Sequence, residues 1–246
     1  MDVVFVGRGN TGLAAEQLGA TCIKSSELSL YPGGPMAFTT WITAVDSWEA
    51  KEKENTDFCM ALLERAVDAA NKKAAAFIFL STYSVYAGRN PRAVDEDEAT
   101  EPLNAYSRWK LNAEQAVLAK AKKPFILRCA DLYGGQKGLA WFQKTYAKAA
   151  IDIHCNPLHV QDLVKACIDI AQLEPEQQVF NIGGPEFMSK YEWVRHFKPG
   201  VLPCLADDLK LAAPRPRFVN LDCSRLRKTI DFKPITVAEA AREERA

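Results

Sequence analysis

A tyrosine and a lysine stand four residues apart in the segment NAYSRWKLNAEQAVL, which spans residues 104–118. At that spacing in a helix, the side chains of Tyr106 and Lys110 lie on one face, one turn apart. An ammonium group near a phenol favours the phenolate, so Lys110 is predicted to lower the pKa of Tyr106 and make it a general acid or base near neutral pH. The alternative interpretation is an exposed helical turn. A second such pair, Tyr133 and Lys137, encloses two glycines and is not expected to form a stable helical face.

Hydroxyl groups precede this helix, at the end of the apolar run AFIFLST (residues 76–82). The run ends in Ser81 and Thr82, and Ser84 follows. In open parallel sheets, ligands bind outside the carboxyl ends of the strands. We therefore expect these hydroxyls to face a crevice that they share with Tyr106.

A glycine-rich loop lies at the end of the first apolar run, VVFVG at residues 3–7. It has the form GxGxxG and precedes a helical segment, the order that a dinucleotide-binding fold requires. The glycines permit a tight turn and close approach of the backbone to a pyrophosphate, and the helix N-terminus favours its negative charge. The alternative is a glycine-rich turn without a ligand. The predicted cofactor-binding residues here are Gly7, Arg8, Gly9, Asn10, Thr11 and Gly12.

The end of the second apolar run bears on the choice of dinucleotide. Sites for NAD carry an acid there to bind the ribose hydroxyls, whereas this chain continues with Lys24 and Ser25 and has no acid before Glu27. A lysine, hydroxyl groups and the arginine of the glycine loop suit a 2′-phosphate. Lys24 and Ser25 are therefore predicted to bind the cofactor, and NADP(H) is favoured over NAD(H), which stays possible. A solvated charge at the strand end is the alternative for Lys24.

Short apolar runs alternate with amphipathic segments along most of the chain. Runs that are apolar throughout, separated by helices, indicate a parallel sheet covered on both faces. We predict an α/β fold, a doubly wound parallel sheet of the Rossmann type with a small C-terminal substrate-binding lobe. The predicted strands lie at 3–7, 21–25, 36–42, 76–82, 124–130 and 178–184, and the predicted helices at 11–19, 55–73, 104–123, 160–172 and 224–230.

From about residue 185 the pattern changes to loops rich in proline and arginine. This change predicts two domains. A dinucleotide-binding domain is formed by residues 1–133 and 156–184, and a smaller substrate-binding lobe by residues 134–155 and 185–246.

The composition is that of an ordinary globular chain. Of 246 residues, 48% are hydrophobic and 25% charged, and Lys plus Arg equals Asp plus Glu at 31 each, so no net positive charge favours nucleic acid or an anionic membrane. Seven scattered cysteines without a CxxC pair argue against disulfides and a zinc ribbon. No apolar run reaches the length of a signal-peptide core or a membrane span. We therefore predict a cytoplasmic protein that acts on a small molecule.

Two further groups of residues are candidates for ligand binding. His154 and His159 are five residues apart, but Pro157 lies between them and no carboxylate completes a ligand set, so no metal site is predicted. Arg215 and Arg217 are predicted to clamp a diphosphate, because arginine forks suit phosphate oxygens. Solvated charges are the alternative for both arginines.

Several segments together resemble the extended short-chain dehydrogenase/reductase family, and within it the dTDP-4-dehydrorhamnose reductase branch. The stretch PLNAYSRWKLNAEQAV (residues 102–117) is the most specific, since it resembles that branch's Pro-Leu-Asn-x-Tyr-Gly-x-x-Lys-Leu-x-Gly-Glu pattern. The resemblance covers nearly the whole chain and implies a nucleotide-sugar oxidoreductase. The other segments that carry it are GRGNTG, TAVDSWE, LSTYSVYAG, ILRCADLYG, PLHVQDLVKA and VFNIGGPE.

By this resemblance, Thr82 is the catalytic hydroxyl, Tyr106 is the acid/base, and Lys110 both tunes Tyr106 and binds the nicotinamide ribose. Thr82 and Tyr106 would bond the substrate oxygen as charge develops there, while the cofactor carries the hydride. The family also implies a homodimer formed by the helices at 55–72 and 104–122. The residues assigned to the substrate side are Ser84, Tyr133, His159, Arg215 and Arg217.

Two departures from the family concern the nucleotide side. The glycine loop is one residue shorter than the usual GxxGxxG, and residues 26–35 leave no room for the usual strand and helix after the second strand. The alternatives that stay open are an epimerase or dehydratase that holds NAD tightly, a reductase of a non-sugar carbonyl, and a regulator that binds NADP(H) without turnover.

Overall fold

A parallel sheet of six strands forms the centre of the protein, in a computed structural model that describes residues 3–39 and 45–245. The order across the sheet is β2-β1-β3-β4-β5-β6, and all neighbouring pairs are parallel. The predicted doubly wound α/β fold is confirmed. The rest of the predicted strand at 36–42 and the start of the segment TAVDSWE lie outside the described residues. The strands are β1 Val4–Val6, β2 Thr21–Ile23, β3 Met36–Phe38, β4 Phe77–Thr82, β5 Pro124–Cys129 and β6 Val179–Ile182.

Helices connect these strands and cover the sheet. None of the helices in the described ranges combines the length and apolar character that crossing a bilayer needs. Short 3-10 helices lie at Ser25–Leu30, Tyr83–Val85 and Ala206–Leu209. The α-helices are α1 Asn10–Gln17, α2 Val45–Ala50, α3 Glu52–Lys72, α4 Ala105–Lys120, α5 Leu139–Thr145, α6 Val160–Leu173, α7 Lys190–Phe197, α8 Ser224–Thr229 and α9 Val237–Glu243.

The two faces of the sheet bury separate apolar cores. Phe77 and Phe79 of β4 belong to the core shared with α3 and α4, whereas Ile78 and Leu80 belong to the core shared with α1 and α6. This alternation follows from the two-residue period of a strand. Because both faces are covered, the strands read as continuous apolar runs in the sequence.

The strand order changes direction at β1, which has β2 on one side and β3 on the other. Only the 3-10 helix Ser25–Leu30 lies between β2 and β3, so β2 is the edge strand of the described sheet, as the short connection predicts. The hydroxyl of Thr39, just after β3, lies 3.0 Å from the carbonyl oxygens of both Val6 and Gly7. Thr39 thereby ties the ends of β1 and β3 together at the point where ligands of such sheets bind.

A third apolar core lies in the C-terminal part of the chain. Phe142 and Phe197 stack within it, with ring centroids 4.3 Å apart, and Trp193 packs edge-on against Phe142. Apart from Tyr133, its buried residues fall in the segments that the sequence assigns to the lobe. The domain boundaries themselves stay a prediction.

This part of the chain is more helical than predicted, since α7 and α9 lie where loops were expected. Each begins with a capping box: the hydroxyl of Ser189 or Thr236 accepts a hydrogen bond from the backbone N–H of the glutamate three residues later. The S/T-x-x-E pattern is readable in the sequence and would have identified both helix starts. Short strands pair Ala93–Val94 with Asn220–Leu221, Leu132–Tyr133 with Leu158–His159, His154–Cys155 with Met188–Ser189, and Lys148–Ala150 with Leu202–Cys204.

Candidate cofactor and substrate site

A cavity of about 850 Å³ opens at the carboxyl ends of the central strands. The glycine loop after β1, the segment after β2, Thr39, the end of β4 and the segment after β5 all line it. The cavity therefore lies where the strand order favours a ligand site. The predicted site residues that line it are Gly7, Arg8, Gly9, Asn10, Thr11, Lys24, Ser25, Thr82, Ser84, Tyr106 and Arg215.

The glycines of the first loop have separate roles. Gly7 has a φ of 120°, a conformation that residues with a side chain rarely adopt. A Cβ at Gly12 would lie 2.0 Å from the carbonyl oxygen of Gly7, so Gly12 serves the packing of α1 on the loop and does not line the cavity. A Cβ at Gly9 would meet no atom within 4 Å. Gly9 therefore leaves open space where a pyrophosphate could approach the backbone.

Two cations stand at this end of the cavity, each with an acidic neighbour. The guanidinium of Arg8 lies 2.9 Å from the carboxylate of Glu16, and the ammonium of Lys24 lies 3.7 Å from that of Glu27. The side chains of Arg8 and Lys24 are 46% and 59% exposed. Ion pairs this exposed contribute little to stability, so both cations can turn to a phosphate.

The loop after β5 closes over the glycine loop. Asn10 Oδ1 accepts a hydrogen bond from the backbone N–H of Gln136 at 2.8 Å. Gly134 and Gly135 both have positive φ, so this segment is a turn rather than a helix, as its two glycines predict. The turn brings Lys137 to the cavity wall, a position that the sequence did not reveal.

A chain of polar groups runs from Thr82 to the start of α4. Thr82 Oγ1 lies 2.9 Å from Ser84 Oγ, which lies 2.8 Å from Ser107 Oγ. Ser107 in turn donates to Asn104 Oδ1 at 2.9 Å, and Asn104 is the N-cap of α4. Thr82 and Tyr106 both line the cavity, so the end of β4 and the start of α4 bring the predicted hydroxyl and phenol to one site.

Tyr106 is 9% exposed and packs against Trp48 and Trp109, with ring centroids 5.9 and 6.2 Å away. Burial raises the pKa of Tyr106, and the negative charge of Asp131 raises it further. The prediction that Lys110 lowers the pKa of Tyr106 is therefore wrong, because desolvation of the phenolate dominates. The phenol is protonated at neutral pH.

Lys110 is fully buried and does not line the cavity. Its ammonium donates to the carbonyl oxygen of Leu80 at 2.5 Å and lies 4.6 and 4.8 Å from the ring centroids of Phe79 and Trp109. Burial lowers the pKa of Lys110 to about 7. The ammonium is 5.8 Å from the ring centroid of Tyr106, but it is not on the wall where a ribose would bind.

Of the residues assigned to the substrate side, Ser84 and Arg215 line the cavity. Arg215 lies 3.1 Å from a carboxylate oxygen of Asp46 and donates to the carbonyl oxygen of Ala213 at 2.8 Å. The guanidinium is therefore fixed between α2 and the C-terminal segment. Its position at the wall keeps it a candidate for binding an anionic part of a substrate.

Arg217, Tyr133 and His159 do not line the cavity. Arg217 pairs with Asp152 and Asp207, at 2.6 and 2.5 Å. Tyr133 is fully buried in the lobe core, and the ring of His159 packs edge-on against it with centroids 5.2 Å apart. These contacts join segments that are distant in the sequence, so the sequence did not reveal that they hold the three side chains away from the cavity.

His154 lies in an aromatic environment, with the rings of Phe187 and Phe218 at 5.6 and 5.2 Å. Within residues 3–39 and 45–245, no three or more His, Cys, Asp or Glu side chains are grouped so that they could hold a metal ion. His154 and His159 thus belong to separate packing contacts.

The wall after β5 carries polar residues that sequence reasoning missed. Asp131, Lys137 and Trp141 all line the cavity there. Asp131 accepts a hydrogen bond from the Tyr83 hydroxyl at 2.9 Å and forms an ion pair with Lys190. The sequence could have predicted Asp131 as a site residue, because it follows a central strand whose carboxyl end faces the same crevice.

The family model described as the RmlD substrate binding domain matches residues 37–244. The chain belongs to this family. Its sequence resemblance to the dTDP-4-dehydrorhamnose reductase branch is thereby confirmed. Among related sequences, dTDP-4-dehydrorhamnose reductase of Mycolicibacterium smegmatis is 30% identical over 144 residues, which cover 52% of this chain and 44% of that protein.

Methionine adenosyltransferase 2 subunit beta of Pongo abelii is 33% identical over 175 residues, which cover 61% of this chain and 51% of that protein. This RmlD-family chain thus spans about half the length of the curated relatives it matches.

Solved structures share the fold of this RmlD-family chain over nearly its whole length. A dTDP-4-dehydrorhamnose reductase of Clostridium acetobutylicum has a TM-score of 0.87 at 20% identity and covers 99% of this chain and 98% of its own. The dTDP-4-dehydrorhamnose reductase of Bacillus anthracis in complex with NADP has a TM-score of 0.85 at 17% identity and covers 99% of both chains.

Proposed function

We propose that this chain is an NADP(H)-dependent oxidoreductase that acts on a keto or hydroxyl carbon of a nucleotide-activated sugar. The observation that carries the proposal is the shared cavity, which has the glycine loop with Lys24 and Ser25 at one end and Thr82 with Tyr106 on its wall. A dinucleotide and a small substrate both need a place in such a site, and about 850 Å³ is at the upper end of ordinary ligand pockets.

The nucleotide end of the cavity fits NADP(H). Gly7 and Gly9 form the backbone cradle for a pyrophosphate, Gly12 lets α1 pack closely on that loop, and Arg8 and Lys24 supply two exposed cations for a 2′-phosphate. The solved relative from Bacillus anthracis is in complex with NADP, and the RMD structure from Pseudomonas aeruginosa, which has a TM-score of 0.77 at 17% identity, is complexed with NADPH. When bound, the nicotinamide would supply the hydride.

Tyr106 serves in this proposal as the proton donor. The phenol is protonated at neutral pH, so a proton is available for a carbonyl oxygen that gains negative charge, although burial makes Tyr106 a weaker acid than a free tyrosine. Thr82 holds the same oxygen through its hydroxyl, which the chain through Ser84 keeps in place.

Lys110 completes the Thr-Tyr-Lys set as a positioning residue. It lies on α4 one turn after Tyr106, and its bond to the Leu80 carbonyl ties that helix to β4, two residues before Thr82. Lys110 thus fixes the relative positions of the phenol and the hydroxyl.

The proposal is tested by the oxidation of NADPH, followed by absorbance at 340 nm, with 4-keto nucleotide sugars as substrates. We expect Tyr106→Phe to lower turnover by about 10²- to 10⁴-fold, the range for loss of a general acid. NADPH binding, followed by nucleotide fluorescence, should stay within about threefold of the unchanged protein, since the substitution removes no group from the glycine loop, Lys24 or Ser25. Turnover that survives in Tyr106→Phe would refute the assigned role. NAD that co-purifies with the protein would instead favour an epimerase or dehydratase.

A second candidate function is that of a subunit that binds NADP(H) without turning it over. Methionine adenosyltransferase 2 subunit beta of Pongo abelii, a relative at 33% identity, is by its name a component of a larger enzyme. The burial of Lys110 away from the cavity wall also favours this candidate. It predicts selective NADPH binding, no oxidation of NADPH with any sugar ketone, and no effect of Tyr106→Phe.

The assembly proposed for the chain is a homodimer through α3 and α4. Phe58 on α3 is 63% exposed and Leu118 on α4 is 36% exposed, which suits a surface that packs against a second copy. Sedimentation of the wild type and of Phe58→Glu tests this: the wild type should sediment as a dimer and the variant as a monomer.

A further inference from the structure

A carboxylate stands on the cavity wall at the substrate end. Asp131 follows β5 and lines the cavity, and its side chain is 32% exposed. The hydroxyl of Tyr83 donates to its Oδ2 at 2.9 Å, and the ammonium of Lys190 binds the same oxygen. Residues from three separate elements therefore build this position: the end of β5, the 3-10 helix after β4, and the start of α7.

The carboxylate is ionised at neutral pH. Burial alone would raise the pKa of Asp131, but Lys190, Tyr83 and the nearby charge of Lys137 outweigh burial and hold the pKa below its ordinary value. An ionised carboxylate accepts hydrogen bonds and donates none.

Asp131 retains capacity to bind a ligand. Tyr83 and Lys190 share Oδ2, and the Cys155 thiol also interacts with the carboxylate, which leaves at least one of its about four acceptor positions. Its neighbours on the wall are Lys137 and Trp141, with the ammonium of Lys137 5.6 Å from the indole centroid. An acceptor, a cation and an aromatic face together suit a ring that carries hydroxyl groups.

This wall penalises an apolar group. A methyl or methylene in contact with Asp131 would displace water from the carboxylate and return no hydrogen bond. A site whose polar groups are left unpaired by the wrong ligand rejects that ligand strongly.

We propose that Asp131 is a specificity-determining residue that accepts a hydrogen bond from one hydroxyl group of the bound sugar. The site then prefers a sugar that bears this hydroxyl over the analogue in which the position is deoxy. This inference rests on the proposed nucleotide-sugar function and adds a selectivity to it.

The test is a hydroxyl scan by isothermal titration on protein saturated with NADP⁺. The ligands are dTDP-glucose and its 2-, 3-, 4- and 6-deoxy analogues, and the proteins are the wild type, Asp131→Asn and the double variant Asp131→Leu with Lys190→Met. The double variant removes both charges together, so it leaves no unpaired buried ammonium if Asp131→Leu alone does not fold. Asp152→Asn is the matched control: this aspartate is also 32% exposed and paired with one cation, but it does not line the cavity.

We expect the wild type and Asp152→Asn to bind dTDP-glucose about 10- to 100-fold more tightly than one of the deoxy analogues, as for a hydrogen bond to a charged group. The double variant should lose that preference for the same analogue, and Asp131→Asn, which keeps a neutral acceptor oxygen, should reduce it. Equal binding of all ligands to the wild type, or a preference that persists in the double variant, would overturn the inference and leave the proposed function intact. A preference lost also in Asp152→Asn would mark a general structural effect and overturn it too. Failure of dTDP-glucose and all its analogues to bind would overturn the inference, whereas the proposed function is decided by the separate NADPH oxidation assay with 4-keto nucleotide sugars.

Discussion

Lys110 on α4 is fully buried and the side chain of Lys190 at the start of α7 is only 19% exposed, yet their charges are controlled in opposite ways. Burial lowers the pKa of Lys110 to about 7 and outweighs the nearby charge of Glu114, while its ammonium donates to a backbone carbonyl and lies beside aromatic rings. Burial also acts to lower the pKa of Lys190, but the carboxylate of Asp131 outweighs it and raises the pKa. A carboxylate in direct contact with an ammonium group can thus outweigh the burial that would lower its pKa.

Arg128 extends the comparison to a deeper ion pair and carries the largest expected effect. Its guanidinium binds Glu114 at 2.9 Å, and the two side chains are 9% and 2% exposed. Glu114→Gln leaves a buried guanidinium without its counter-charge, so we expect a loss of about 3–5 kcal/mol in the free energy of unfolding, measured by urea denaturation. A double variant, Glu114→Leu with Arg128→Met, should regain most of this loss. A loss below about 1 kcal/mol in the single variant would show that the charge partner matters little.

Lys190→Met should have the next largest effect. It leaves the Asp131 carboxylate without its cation, but Asp131 is 32% exposed and water can reach it. We therefore expect a loss of about 2–3 kcal/mol in the free energy of unfolding, below the range for a fully buried pair. The loss should shrink at a pH low enough to protonate Asp131. No such dependence would mean that Lys190 acts through packing on Trp193, which its ammonium approaches to 4.4 Å from the ring centroid.

Lys110→Met should behave in the opposite way to Lys190→Met. The pKa of Lys110 is about 7 in the folded protein against an ordinary 10.5, so the unfolded chain binds this proton more tightly. Stability should therefore rise with pH, by up to about 1.4 kcal/mol per pH unit from this group, above about pH 7. Lys110→Met should lack this rise, whereas Lys120→Met, at an exposed lysine on the same helix, should keep it.

The pH dependence of the free energy of unfolding should be measured between about pH 7 and pH 8.5, because the cysteine thiols begin to titrate in the unfolded chain at higher pH. Burial raises the pKa of Cys22 and Cys223 to about 11 and that of Cys129 to about 12. Above the ordinary pKa of a thiol, these groups lose their protons more readily in the unfolded chain, so the free energy of unfolding falls as the pH rises. Equal pH slopes in the wild type and Lys110→Met would contradict the assigned charge state of Lys110.

An exposed pair between α3 and α4 should show the smallest effect. Lys120 and Glu64 lie 2.6 Å apart, and their side chains are 55% and 51% exposed. Glu64→Gln makes the same chemical change as Glu114→Gln, but water solvates both charges here. We expect a change below about 0.5 kcal/mol in the free energy of unfolding by urea denaturation. A loss of unfolding free energy as large as that of Glu114→Gln would contradict the expectation that buried ion pairs matter more to stability than exposed ones.

The residues predicted to bind the cofactor line the cavity more completely than those predicted to bind the substrate. Gly7, Arg8, Gly9, Lys24 and Ser25 belong to local connections whose order fixes their place at the cavity. Thr82 and Tyr106 also line this cavity, as expected of a strand end and a helix start that face one crevice in a doubly wound sheet.

The errors concern contacts between distant parts of the chain. Spacing placed Lys110 on the same helical face as Tyr106, but the packing of Trp48 from α2, stacked on Trp109 at 5.0 Å, is part of what encloses that face. The role of Asp131 depends on Lys190, 59 residues away, and the position of Arg217 depends on Asp152. Periodicity and spacing carry no information on such pairs.

The two edges of the central sheet differ in how they end hydrogen bonding. On one side β2 is only three residues long, too short to offer a partner strand a useful ladder. At the other edge, two side chains form hydrogen bonds with the backbone of β6. The N–H of Asn181 donates to the carboxylate of Glu96 at 2.7 Å, and Arg225 donates to the carbonyl oxygen of Val179 at 3.4 Å. In the part of the chain that the structure describes, both edges thus offer an added strand few free backbone groups, which disfavours extension of the sheet by another chain.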